Sequence, residues 1–238
     1  MQKERKPAAL LWDLDGTIVD SEQYWVRAGH EIVSQYGVAL SAEAKQGLIG
    51  KSLWESARVL REHGVTLPAA DIVQGKANRV VELYQTAGVI WRPGARELLL
   101  AAREAGIPNV LVTMALRNVA EAVAAELPEG TFAAIFGGDD FPPGGGKPLP
   151  APYLAGAAAV SADPGDCVVF EDSDTGLAAA TSAGCVTIGV EHLLDLSGYQ
   201  SHLVLDTLAD VDIETVSTYF TKLRHLPPTR GGHSLSEV

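Results

Sequence analysis

The stretch Ala8-Ala9-Leu10-Leu11-Trp12-Asp13-Leu14-Asp15-Gly16-Thr17 decides the fold. Ala8–Trp12 is a short apolar run bounded by an acidic loop, and it reads as a buried strand. Runs of the same kind recur at Val110–Thr113, Phe132–Phe136, Cys167–Glu171 and Cys185–Val190, with a weaker one at His202–Leu205. Helical patterns separate them at Ala95–Glu104, Arg117–Glu126, Pro152–Val160 and Thr175–Ala183. Repeated alternation of strand and helix predicts an α/β fold, a parallel sheet with helices on both faces.

One segment interrupts the alternation. Residues 21–88 carry helical patterns and no strand, with candidate helices at Glu22–Tyr36, Ala42–Leu48, Leu53–His63 and Ala70–Thr86. Arg92-Pro93-Gly94 marks the return to the sheet. The expected organisation is a discontinuous core of residues 1–20 and 89–225 with an all-helical cap, residues 21–88, inserted into it. From Leu226 the chain is polar, rich in Pro and Gly and without periodicity, so residues 226–238 are expected to form a disordered tail.

Composition narrows the function. The net charge is -12, which disfavours nucleic acid and anionic membranes, since both would repel the chain. A small anionic substrate stays possible, because a bound cation and a few donors can reverse the field inside one pocket. The two cysteines, Cys167 and Cys185, lie in apolar runs and read as reduced core residues. The N-terminal apolar run is too short for a membrane span and lacks a signal-peptide cleavage pattern, which leads to an expected cytoplasmic location. A monomer or weak dimer is expected.

Polar residues cluster just past the predicted strands. Asp13 and Asp15 follow the first, Thr113 ends the second, Lys147 lies in the loop after the third within Gly146-Lys147-Pro148, and Glu171-Asp172-Ser173 closes the fourth. In a parallel sheet all four loops open at the carboxyl edge, where ligands bind in open α/β folds. Four carboxylates, one hydroxyl and one amine would meet there.

This set resembles the haloacid-dehalogenase superfamily of phosphohydrolases, from Ala8 to Val190. The flanking residues fit as well: Asp20-Ser21-Glu22, Pro150 and Tyr153, then Gly176, Ala179-Ala180 and Ala183-Gly184. The resemblance implies a Rossmann-like core with a small α-helical cap and a Mg²⁺-dependent phosphatase acting on a small phosphorylated metabolite. By the same resemblance Asp13 is the nucleophile and a metal ligand, and Asp15 gives its backbone carbonyl to the metal and its side chain to proton transfer. Asp172, with Glu171 directly or through water, completes the metal ligands. Thr113 and the amides after it hold phosphoryl oxygens, and Lys147 neutralises charge. The chemistry suits these residues. A carboxylate nucleophile divides a very slow hydrolysis into two easier steps, and a hard cation with oxygen ligands offsets repulsion between carboxylate and phosphate.

Several positions depart from the family pattern. Met114-Ala115 stand where serine or asparagine is common, leaving the phosphate cradle to backbone amides. Ala151 replaces a helix-capping Asp, so weaker helix initiation is expected without loss of catalysis. Asn118 matches a position used near substrate in related enzymes and equally suits an ordinary surface residue. Gly50-Lys51-Ser52 looks like the end of a nucleotide-binding P-loop, but Lys45 stands where that motif needs Gly. Lys51 is therefore read as a cap-loop contact to substrate, with a solvated turn as the alternative.

Sugar phosphomutases of the same superfamily carry a histidine where this chain has Trp25. Asp20-Ser21-Glu22-Gln23-Tyr24-Trp25 instead resembles hexose- and hexitol-phosphate phosphatases, which favours a sugar phosphate as substrate and water as acceptor. A mutase and a non-enzymatic binding protein remain the alternatives. At helical spacing, Trp25 and Trp54 read first as packing residues, with contact to the substrate as the alternative.

Overall fold

The computed structural model describes residues 5–38, 40, 41, 48 and 51–234. The expected helix Ala42–Leu48 lies outside the described residues except at Leu48.

The strands are β1 (Ala9–Trp12), β2 (Asn109–Val112), β3 (Phe132–Phe136), β4 (Cys167–Glu171), β5 (Val186–Val190), β6 (Gln200–Ser201), β7 (Leu203–Leu205) and β8 (Thr229–Arg230). Six of them form one sheet in the order β3-β2-β1-β4-β5-β7. Every pairing within it is parallel. Helices cover both faces, so β1, β2, β4 and β5 are buried throughout and read as continuous apolar runs. Successive side chains still take opposite faces. Leu10 and Trp12 join one core cluster, and Ala9 and Leu11 join the other. Trp12 stacks on Phe170 of the neighbouring strand with ring centroids 4.4 Å apart. Its Nε1 donates to Asn109 Oδ1 at 2.9 Å, while the Asn109 amide donates to the carbonyls of Leu99 and Thr131, so no polar atom of this buried pair is stranded.

Between β1 and β2 the chain forms α1 (Glu22–Gln35), α2 (Leu53–Glu62), α3 (Ala69–Ala87) and α4 (Ala95–Glu104). The first three belong to the inserted segment. Ser52 and Glu55 start α2 with a reciprocal capping box. α1 and α3 pack through Tyr24 and Tyr84, whose rings meet edge-on at 5.5 Å. The two chain crossings between insert and sheet run side by side: Asp20 N donates to Ile90 O and Arg92 N to Ile18 O, each at 2.8 Å.

The later helices are α5 (Arg117–Ala124), α6 (Ala151–Ala159), α7 (Asp174–Ser182) and α8 (Ile213–Leu223). α6 starts behind Pro150 with no side-chain cap, as the Ala151 replacement leads one to expect. The stretch after Leu226 departs from expectation as far as Ser234. Thr229–Arg230 pair antiparallel with Gln200–Ser201, and His233 N donates to His202 O at 2.9 Å. Gly231 and Gly232, at φ of 73° and 72°, turn the chain. A side chain at Gly232 would sit 2.7 Å from Leu203 Cα, so only glycine permits this approach.

Candidate active site

Parallel pairing of β1 with β2 and β4 brings Trp12, Val112 and Glu171 to the same sheet edge. Asp13 leaves β1 there and is 7% exposed. Lys147 Nζ donates to Asp13 Oδ1 at 2.6 Å, to Glu171 Oε1 at 2.6 Å and to the Val112 carbonyl at 2.9 Å. A buried ammonium is thus fully hydrogen-bonded and doubly paired. Tyr153 OH also donates to Glu171 Oε1, at 2.6 Å. Glu171 Oε2 accepts from Asp172 N, Ser173 N and Ser173 Oγ at 3.1, 3.2 and 3.0 Å. Asp172 receives Thr17 Oγ1 at 3.4 Å.

Glycine makes room for this cluster. Gly16 has φ of 90°, and a Cβ there would fall 1.9 Å from Asp172 Oδ2. A Cβ on Gly176 would fall 1.8 Å from Glu171 Oε1. The first position needs glycine for conformation and space, the second for space alone.

Three carboxylates, those of Asp13, Glu171 and Asp172, offer oxygens that lie within 4.8 Å of one another. One ammonium does not balance them. Burial pushes the Asp13 carboxyl up to about 7, and Lys147 only partly opposes this while Glu171 adds to it. Burial, followed by Asp13 and Glu171, drives Asp172 well above the usual carboxylate range. Burial alone would lower the Lys147 ammonium, but the attraction of Asp13 and Glu171 outweighs it and the net direction is upward. The site is short of positive charge, and its donors are hard oxygens. That combination fits a divalent cation such as Mg²⁺.

Asp15 sits beside the cluster but is held from the insert. Ser21 Oγ and Trp25 Nε1 both donate to Asp15 Oδ1, the latter at 2.8 Å. Burial raises its carboxyl above the ordinary value, and these two hydrogen bonds oppose the rise. Ser21 stands at the N-terminal boundary of α1 and Trp25 lies within it, so the candidate proton carrier is gripped by the inserted segment. Trp25 therefore packs and also touches the site. Ser21, Thr17 and Tyr153, which match the family pattern in sequence, make contacts here that the pattern alone does not specify.

Thr113 is buried just past β2, and its Oγ1 accepts Ala115 N at 3.0 Å, which leaves the hydroxyl hydrogen free to donate. Met114 follows it at the rim. Asn118 turns instead to the insert, donating to Asn78 Oδ1 at 3.1 Å. Lys51 is exposed in the turn before α2, and among the described residues no contact joins it to the carboxylates.

A family model described as haloacid dehalogenase-like hydrolase matches residues 7–184. Hexitol phosphatase A of Escherichia coli is 32% identical over 85% of this chain and 92% of its own length. A probable pseudouridine-5'-phosphatase of Drosophila melanogaster is 30% identical over 87% and 92%. Among solved structures, CbbY of Rhodobacter sphaeroides in complex with xylulose-(1,5)bisphosphate is similar with a TM-score of 0.75 and 28% identity, covering 86% of this chain and 96% of that one.

Proposed function

The chain belongs to the haloacid dehalogenase-like hydrolase family and is a phosphoric monoester hydrolase, and on that premise we propose that it hydrolyses a small sugar phosphate through an aspartyl-phosphate on Asp13. The observation that carries this reading is Asp13 Oδ1 paired with Lys147 at the sheet edge, which leaves Oδ2 as the attacking oxygen. Oδ2 bonds to phosphorus as the ester P–O bond breaks, and Asp15 gives its proton to the departing alkoxide. Asp15 then takes a proton from the water that attacks phosphorus, releasing phosphate and restoring Asp13. Both donors on Asp15 bind Oδ1, so Oδ2 is the oxygen that carries the proton. Lys147 and the Thr113 hydroxyl offset charge on the phosphoryl oxygens.

Asp13, Asp172 and the backbone carbonyl of Asp15 would hold Mg²⁺. When bound, the ion supplies Lewis-acid neutralisation of the phosphoryl group. Glu171 already accepts five donors, so its share in metal binding runs through water and through its charge.

Residues 21–88 act in this reading as a cap that closes over the substrate and excludes water. Asn118, meeting Asn78 of α3, would lie at the cap contact, and Lys51 would reach substrate from the cap. Hydrolysis is favoured over transfer within a sugar by Trp25. Its indole nitrogen can only donate, so unlike histidine it cannot shuttle a proton. The names of the relatives, a hexitol phosphatase and a pseudouridine-5'-phosphatase, support a phosphorylated polyol or sugar as substrate.

The test is phosphate release from a panel of hexose, pentose and hexitol phosphates with Mg²⁺. Activity should vanish with a chelator and in Asp13→Asn; Mg²⁺-dependent turnover by a verified Asp13→Asn protein refutes the mechanism.

A further inference from the structure

Met114 is the chain's only methionine apart from Met1, and it stands directly after Thr113 at the sheet edge. It is 37% exposed, yet its sulfur is engaged. The Lys147 backbone N–H donates to Sδ at 3.4 Å. A Cβ on Gly146 would fall 2.2 Å from Met114 Cε and 2.7 Å from Sδ, so the thioether lies against bare backbone. The loop leading to Lys147 is Pro142-Pro143-Gly144-Gly145-Gly146. It carries no side chain that can donate or accept a hydrogen bond, and Gly144 adopts a φ of 76°. Lys147 is therefore fastened at two points, by its ammonium on Asp13 and Glu171 and by its amide on the Met114 sulfur.

We propose that Met114 is a positioning residue for Lys147 and a site of reversible oxidation, through which a peroxide switches the enzyme off. A lone pair on Sδ attacks one oxygen of hydrogen peroxide. The S–O bond forms and the O–O bond breaks; the hydroxyl now on sulfur gives its proton to the departing hydroxide, leaving the sulfoxide and water. Sulfur loses the two electrons that the peroxide gains. The sulfoxide oxygen is a strong acceptor that seeks water, and no space exists for it between sulfur and Gly146. The side chain leaves the loop and the Lys147 amide loses its partner. The two cysteines compete poorly for oxidant, because both are buried and burial raises both thiols.

The inference rests on the proposed phosphatase reading for its activity readout, so the experiment has a second readout. The full chain is titrated with hydrogen peroxide, and oxygen addition at Met114 is followed by peptide mass spectrometry. Turnover and acylation of Lys147 by an amine-reactive ester are measured on the same samples. Activity should fall in step with Met114 oxidation, by about a hundredfold at completion, the cost of an ångström-scale misplacement. The loss should fall on kcat rather than KM. Lys147 should change from protected to acylated, and methionine sulfoxide reductase should restore both readouts. Met114→Leu should begin with reduced kcat, lacking the sulfur acceptor, and peroxide should not reduce it further. Fully oxidised Met114 with Lys147 still protected overturns the inference, as does peroxide inactivation of Met114→Leu at the wild-type rate. Absence of phosphatase activity on every substrate would refute the parent reading alone, since the acylation result still decides this one.

Discussion

Lys76 lies on α3, 6% exposed, inside the inserted helices. Its Nζ donates to Ser56 Oγ at 2.8 Å and stands 5.9 Å from the Trp25 ring. Among the described residues no carboxylate bonds it directly; Glu22 acts on it only by charge. Burial therefore wins and lowers the ammonium from 10.5 to about 8. At about 1.4 kcal/mol per pH unit, that drop means the native state bears about 3 kcal/mol for keeping the charge at pH 7. Lys76→Met keeps the length and apolar stem of the side chain and removes the charge. It also removes the Ser56 hydrogen bond, which, as a bond to a charged group, contributes about 2 kcal/mol. The variant should be more stable than wild type by about 1 kcal/mol at pH 7. The sign reverses in alkali. Between about 8 and 10.5 the unfolded chain binds the proton and the native chain has released it, so wild-type stability gains through that window. Urea unfolding of both proteins at pH 7 and pH 10 measures the difference, and groups common to both cancel. A Lys76→Met protein less stable than wild type at pH 7, or a difference that does not move between pH 7 and pH 10, refutes the argument.

Trp25→Phe keeps the ring in its packing and removes the indole N–H from Asp15 Oδ1. kcat should fall about tenfold with KM and thermal midpoint little changed, since one hydrogen bond to a charged group is worth about 1.5–3 kcal/mol. Equal kcat in steady-state assays would remove Trp25 from the site. Gly16→Ala forces a Cβ into the space of Asp172 Oδ2 at a φ of 90°. It should lose about 1–3 kcal/mol and raise the Mg²⁺ concentration needed for activity, as read by thermal melts and a metal titration. His202 is buried, and its Nδ1 accepts Thr187 N at 3.0 Å. Burial, with His233 as a lesser cause, lowers it from 6.5 to about 4. Below 6.5 the unfolded chain takes up a proton that the native chain refuses until about 4, so stability should fall as pH drops through that window. His202→Gln should flatten this limb in thermal melts at graded pH; an unchanged limb would show that His202 does not set it.

The strand cores were legible because each is a local apolar run, and helix Ala95–Glu104 was legible to the residue. β6 and β8 were not, because a two-residue strand has no period and its pairing joins Ser201 to Thr229 across intervening chain. α8 was also missed, although Val216, Phe220 and Leu223 of its buried face stand at helical spacing. The carboxylates and Lys147 could be found because each lies at the end of an apolar run or in the loop that follows one. Lys76 and the hold of Trp25 on Asp15 could not, since the first arises where α2 and α3 meet and the second where α1 meets the loop after β1.

Strand order is a different case, because residue patterns leave it open while the chemistry restricts it. Lys147 reaches Asp13, Glu171 and the Val112 carbonyl with one ammonium. Those three groups belong to the ends of β1, β4 and β2, and neighbouring strands lie only about 4.8 Å apart. One ammonium can serve all three only if the three strands are neighbours. The observed order β2-β1-β4 meets that requirement. A one-residue slip of β1 against β4, now matched at Trp12 and Phe170, would turn Asp13 to the opposite face. The Trp12–Phe170 stack and the Trp12–Asn109 hydrogen bond, one residue below Asp13, oppose that slip. The residue that seals the core under the site therefore also fixes where its candidate nucleophile points.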